Sequence, residues 1–141
     1  MTLAKPIKIS AAHRVLLLNG QWQFRYFTSP KQANQFVRER FTGIKNDWDA
    51  VYVPSVWQQD GYERWHYVNV KFPFPAVPPV VPNFNPTGVY RRSFQGLSPT
   101  LRTVLCFQGV DAAFDLYCNG HYVGYSQGSH MTAEFDLSPF L

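Results

Sequence analysis

Three glutamates (Glu39, Glu63, Glu134) and six aspartates are the residues of this 141-residue chain that could drive hydrolysis. Cleaving a glycosidic bond with retention takes two carboxylates about 5–5.5 Å apart, one as acid/base and one as nucleophile. The spacing here does not supply them. Glu39 falls on the polar side of a helix expected over Pro30–Phe41. Asp115 and Asp136 alternate with Phe114, Leu116, Phe135 and Leu137, which sends them to solvent or to turn caps. Asp60 and Glu63 share a loop, where two acids are commonplace. The residue pattern alone therefore offers no catalytic pair.

Other chemistries fare no better. His13, His66, His121 and His130 lack metal-ligand spacing, and Cys106 and Cys118 belong to no Cys-x-x-Cys unit. A disulfide between neighbouring strands is geometrically conceivable. Two buried reduced thiols are the expectation for a chain of this size with no signal-peptide pattern. Ser126 and Ser129 sit in YSQGS, which is not the Gly-x-Ser-x-Gly elbow of a hydrolase nucleophile. The glycines are isolated, so no phosphate-cradling loop is present. Asn85-Pro86-Thr87 is barred from glycosylation by its proline.

The elements that must position any site are mostly strands. In Leu18–Phe27, Trp22, Phe24 and Tyr26 alternate with Gln21, Gln23 and Arg25, the period of a half-buried strand. Pro30–Phe41 reads as a short helix with Ala33, Phe36, Val37 and Phe41 as its apolar stripe. Another strand within Trp48–Trp57 centres on Val51 and Val53 and stops at Pro54. Beyond a turn expected at Asn85-Pro86-Thr87-Gly88, the segments Val89–Gln95, Thr103–Val110, Ala113–Cys118, His121–Ser126 and Glu134–Leu137 read as strands. Asn119-Gly120 suits the two left-handed positions of a type I′ hairpin turn. About seven short strands predict an all-β antiparallel sandwich or jelly roll with one short helix. The chain ends at Pro139-Phe140-Leu141 with nothing to return across the sheet, so the domain reads as incomplete at its C-terminus.

Between Pro54 and Pro86 lie seven of the 11 prolines, together with Trp57, Tyr62, Trp65, Tyr67, Phe72, Phe74 and Phe84. Proline lacks a ladder donor, so this stretch is not a central strand. Its aromatic rings predict an ordered excursion that packs on the sheet and presents some residues outward. A sugar ring has apolar faces and a polar rim, which a rigid aromatic loop bearing asparagine suits.

Composition sets the outer bounds. Hydrophobic residues make up 45% and charged residues 16%, a balance that offsets ordering entropy in one globular domain. No apolar run approaches the roughly 20 residues of a membrane span, so a cytoplasmic protein with no membrane partner is expected. The net charge of +4 is scattered. Lys31, Arg38, Arg40 and Lys45 fall in or near the helix, and Arg91 and Arg92, adjacent in a strand, are expected on opposite faces. That argues against a nucleic-acid partner, which needs basic residues clustered on one face.

Several segments, taken in order, resemble the N-terminal sugar-binding domain of family 2 β-galactosidases of the large bacterial type. LNGQW (Leu18–Trp22) is similar to the opening strand of that family. VPSVWQQDGY (Val53–Tyr62) resembles its VPSxWQxxGY segment. YVNVKFPFP with PPVVPNFNPTGVYRRSF (Tyr67–Phe94) resembles its YxNVxYP…PPxVPxxNPTGxY stretch, and FQGVDAAFDLYCNGHYVGYSQGSHMTAEFDLS (Phe107–Ser138) resembles the strand–hairpin block that closes the match. The related β-glucuronidase and β-mannosidase branches share the sandwich but generally not the proline-rich stretch with NPTG. On this likeness residues 18–141 form the sugar-binding domain and residues 1–17 a lead-in that does not resemble the family's usual start.

The resemblance implies a parent enzyme that hydrolyses terminal β-D-galactosides such as lactose. Its catalytic glutamates, with Mg²⁺ and Na⁺ sites around them, lie in a later barrel domain, and the assembly is commonly a tetramer. It implies no catalytic residue and no bound metal or cofactor in this chain. The galactose-contacting asparagine of the family falls in the YxNV motif, here Asn69, whose amide both donates and accepts. His66 adjoins the motif and is the candidate for the pocket rim. Trp57 is assigned to packing, and Trp65 either anchors the loop or stacks on sugar. The chain alone is expected to be inactive and to act as pocket wall and support. The competing expectation is a stand-alone carbohydrate-binding module whose aromatic loop is a whole sugar site.

Overall fold

The computed structural model describes residues 15–39, 48–65, 69–70, 77–95 and 100–141. Most of the lead-in expected over 1–17, and Arg40, Phe41 and Lys45 of the helical segment, lie outside them. The described residues form seven strands and one α-helix in two compact units, residues 1–93 and 94–141. Every strand pairing is antiparallel, which agrees with the all-β class expected.

The first unit is built on β1 (Gly20–Phe27), the centre of a three-stranded sheet. On one side β2 (Asp49–Val53) sets Trp22 opposite Val51. On the other, β3 (Thr87–Arg91) sets Phe24 opposite Tyr90. The alternation of β1 does what its period requires: Phe24 is fully buried while Gln21 and Gln23 stay exposed. Burying such a ring contributes about 1.5–3 kcal/mol. Helix α1 (Pro30–Arg38) opens on Ser29, whose hydroxyl accepts from the Gln32 backbone N–H, and Pro30 fills the first turn. It buries Ala33 and Phe36, with the Phe36 ring 5.2 Å from Phe27 and 5.4 Å from Trp48.

One expectation fails here. Asn85-Pro86-Thr87-Gly88 is not a turn, because Thr87 and Gly88 already belong to β3 and pair with Phe27 and Tyr26. Asn85 instead ties the chain down by donating its N–H to the Thr28 carbonyl at 3.0 Å. Gly88 is required for close packing: a β-carbon there would meet the Phe24 and Trp57 rings at 2.6 Å.

The second unit holds two antiparallel pairs, β4 (Val104–Phe107) with β7 (Ala133–Asp136) and β5 (Ala113–Cys118) with β6 (His121–Gln127). Phe107, Phe114 and Phe135 bring β4, β5 and β7 together, with ring centroids 4.8–6.2 Å apart. Gly124 of β6 lies under this cluster, since a β-carbon there would sit 2.9 Å from the Phe135 ring. The β5–β6 turn has Asn119 at φ 50° and Gly120 at φ 84°, as the Asn-Gly pair predicts. The Asn119 amide also donates to the Phe140 carbonyl at 2.8 Å.

The cysteines depart from expectation. Cys106 is exposed and only Cys118 is partly buried. Cys106 lies on the outward side of β4, between half-buried Leu105 and Phe107. The two residues are not on neighbouring strands, for Cys106 stands opposite Glu134 and Cys118 opposite His121.

Candidate functional site

The proline- and aromatic-rich stretch is anchored to the first unit at both ends. After β2 the chain makes a tight turn in which Asp60 and Tyr62 both donate their N–H groups to the Trp57 carbonyl, at 3.1 and 3.3 Å, and Gly61 takes φ 84°. The turn sets Trp57 and Tyr62 side by side over the apolar face of β1. Tyr62 stands edge-on to Phe24 at 4.7 Å, and Trp57 lies 6.0 Å from both Phe24 and Tyr26. The Trp57 indole N–H donates to a Glu63 carboxylate oxygen at 3.3 Å. Desolvation first, and then hydrogen bonding to Asp49, push the Tyr62 hydroxyl up to about 12. Further along, Val80 donates to the Val77 carbonyl at 2.8 Å, and the Asn85–Thr28 bond closes the far end.

Asn69 is displayed between these anchors. It is exposed, followed by Val70 at 75% exposure and preceded by Trp65 at 67%. His66, the rim candidate, lies outside the described residues. Trp57 packs inward, whereas Trp65 turns its ring to solvent. The loop can therefore offer an amide and an aromatic surface, the two contacts a saccharide uses.

A second feature was not anticipated from sequence. The opposite, polar side of β1 borders a cleft of about 490 Å³, whose lining includes Gln21, Gln23, Trp48, Asp49, Arg91 and Arg92. Arg91 donates from Nε to Gln23 Oε1 at 2.7 Å, and its guanidinium lies 4.4 Å from the centre of the Trp48 ring. A guanidinium N–H of Arg92 donates to the Gln21 carbonyl. The two arginines were expected on opposite faces. They line one cleft because β3 ends at Arg91 and Arg92 has left the pleat. The alternation of Gln21, Gln23 and Arg25 is the sequence signal of this side, but it reads the same whether the face is flat or hollowed.

Asp49 is the one carboxylate among the described cleft residues. Asp115 accepts from the Tyr122 hydroxyl at 3.3 Å on the exposed side of β5. Asp136 is held down to about 2 by hydrogen bonds from Arg102 and then Ser138. Among the described residues no group of three or more His, Cys, Asp and Glu side chains converges to hold a metal ion. No helix among them is long and apolar enough to cross a membrane.

Residues 15–141 match the family described as "Glycosyl hydrolases family 2, sugar binding domain". The chain belongs to this family. Among its relatives is a protein named beta-galactosidase from Alteromonas mediterranea, 46% identical over 129 residues, which covers 89% of this chain. One of the same name from Pseudoalteromonas haloplanktis is 45% identical over 88% of the chain, and one from Pectobacterium atrosepticum is 43% identical over 94%. This family 2 chain spans about 12% of the length of the first two relatives and 13% of the third.

Proposed function

We propose that this family 2 sugar-binding domain serves a hydrolase of terminal β-D-galactosides as one wall of its substrate pocket, with the reacting carboxylates supplied by other domains. The observation that carries the reading is 43–46% identity to proteins named beta-galactosidase along nearly the whole chain, together with coverage of only about an eighth of their length. The geometry supports it. Asn69 stands exposed on a loop whose two ends are fixed to a packed sheet, an arrangement that holds an amide in place for sugar hydroxyls. On the same reading His66, three residues earlier, belongs to the rim.

The remaining roles follow from this reading. The partners are the galactoside, the barrel that carries the catalytic glutamates, and further copies of the enzyme in a tetramer. The Mg²⁺ and Na⁺ of the parent enzyme belong to that barrel rather than to this domain. The protein works in the cytoplasm.

A chromogenic β-galactoside tests the assignment. The 141-residue chain by itself is expected to give no turnover. Joined to the remaining domains of the Alteromonas mediterranea relative, it is expected to hydrolyse the galactoside, and Asn69→Ala is expected to raise KM by about tenfold, the size of one lost hydrogen bond to substrate. Turnover by the chain alone, or an Asn69→Ala chimera that behaves like the parent, would overturn the reading. The exposure of Trp65 favours a second reading, a self-sufficient carbohydrate-binding module. That reading requires micromolar sugar affinity in the isolated chain and its loss in Trp65→Ala.

A further inference from the structure

The sequence holds the pair Asn-Gly twice, as Leu18-Asn19-Gly20 and as Cys118-Asn119-Gly120. Such a pair can react with itself, with water as the one co-reactant. The backbone nitrogen of the glycine attacks the asparagine Cγ, so that an N–Cγ bond forms and the Cγ–Nδ2 bond breaks. The side-chain nitrogen leaves as ammonia and takes the glycine amide proton with it. Water then opens the cyclic imide at either carbonyl, which leaves an aspartate or an isoaspartate. Glycine permits the attack because no β-carbon shields its nitrogen. We propose that Asn19 is a site of spontaneous deamidation in this chain, and that Asn119 is kept from the same reaction by its bond to the Phe140 carbonyl.

Both asparagines are exposed, so access to water does not separate them. What separates them is how each is held. Asn119 and Gly120 occupy the two left-handed positions of the β5–β6 turn, at φ 50° and 84°, and the Cys118–His121 pair closes the ladder beside them. The Asn119 Nδ2 donates to the Phe140 carbonyl at 2.8 Å. That acceptor is itself anchored. Phe140 donates its N–H to the Leu137 carbonyl at 2.9 Å, and Leu137 donates its own to the Thr103 carbonyl at 2.8 Å. The Phe140 ring also lies 6.4 Å from His121, the residue that follows the turn. Attack requires the Asn119 amide carbon to swing over the Gly120 nitrogen, which breaks the bond to Phe140.

Asn19 has no such latch. It lies just ahead of β1, and its side chain has no hydrogen-bond partner among the described residues. A residue outside the strand ladder samples other conformations at little cost. The glycine beside it serves the backbone, since Gly20 takes φ 119° as the chain enters the strand. The reaction would mark the entrance of the central strand. Isoaspartate adds one backbone carbon immediately ahead of the Gly20–Val53 pair that begins the β1–β2 ladder, and either product lowers the net charge of +4 by one.

The test holds the purified 141-residue chain in mildly alkaline buffer and follows amide-to-acid conversion at each asparagine by peptide mass spectrometry. In the folded chain Asn19 is expected to convert about tenfold faster than Asn119, the rate equivalent of one hydrogen bond that must break first. In concentrated urea the two are expected to convert at the same rate, because the latch is gone and the reacting pairs are alike. Deleting Phe140 and Leu141 removes the acceptor and leaves the Ser138 bonds with Thr103 and Asp136 in place. That deletion is expected to speed Asn119 by about tenfold, to leave Asn19 unchanged and to keep the amide spectrum of β5–β6. If the deletion disturbs that spectrum, the folded and urea-unfolded full chains decide the matter by themselves. Equal rates in the folded chain, or faster conversion at Asn119, would overturn the proposal. So would no conversion at Asn19, a difference that persists in urea, or an Asn119 rate that the deletion leaves unchanged in a folded chain.

Discussion

The indole of Trp57 lies so close to Gly88 that a β-carbon on residue 88 would fall 2.6 Å from ring atom Cζ3. This contact joins the start of the aromatic loop to β3, across 31 positions of the chain from Trp57 to Gly88. Gly88→Ala forces either Trp57 or Phe24 to move. The expected cost is about 1–3 kcal/mol, the usual penalty for overpacking. It should appear as a lower urea midpoint at unchanged slope, with a shift in tryptophan emission.

Phe24 is the residue on which that anchoring converges. It is fully buried and meets Trp57, Tyr62 and Tyr90 with centroids at 6.0, 4.7 and 4.7 Å. Phe24→Ala removes the ring from beneath all three and should destabilise the first unit by about 3–5 kcal/mol. Against a total stability of about 5–15 kcal/mol for a domain, that leaves little margin. Circular dichroism during urea unfolding reads the loss.

Alkaline pH should loosen the same anchor. Desolvation, and then the hydrogen bond with Asp49, raise the Tyr62 hydroxyl from its ordinary 10 to about 12 in the folded protein. The folded state therefore holds its proton where the unfolded chain has lost it. Its contribution is fully present below pH 10 and is lost as the pH rises through about 12. Unfolding midpoints measured from pH 9 to 12 should fall, and should fall less steeply in Tyr62→Phe.

The two thiols should react in a fixed order. Cys106 is exposed on the outward side of β4, whereas Cys118 is half-buried and burial pushes its thiol up. Less thiolate and less access both slow Cys118. Timed alkylation followed by peptide mass spectrometry should find Cys106 modified first. Equal rates would show that the second unit opens on the timescale of the reaction.

How far the fold was legible depended on whether a local rule had a long-range competitor. Ala113–Cys118 and the Asn119-Gly120 turn follow from alternation and left-handed propensity alone, and the structure has both where those rules put them. Pro86-Thr87-Gly88 carries an equally good local turn signal. There the strand pairing with Phe27 and Tyr26 won, and the glycine serves the Trp57 ring. Cys106 was misread for a related reason. Which side of a strand faces outward depends on its neighbours, and the partner of β4 is β7, 26 or more residues later in the chain. The cleft was not legible at all, since Arg91 meets Gln23 across a separation of 68 residues. Asn69 stood out in sequence only through the family motif around it, and the structure adds its exposure between two anchors.

The most direct test of the pocket-wall account is an isotope-edited NMR titration of the purified chain with galactose and lactose, followed at the Asn69 side-chain amide. The account predicts shifts centred on Asn69 with a Kd in the millimolar range or weaker, a binding free energy of no more than about −4 kcal/mol, because one amide on one wall is an incomplete site. Saturation in the micromolar range would contradict it and would mean that this domain holds a whole sugar site of its own.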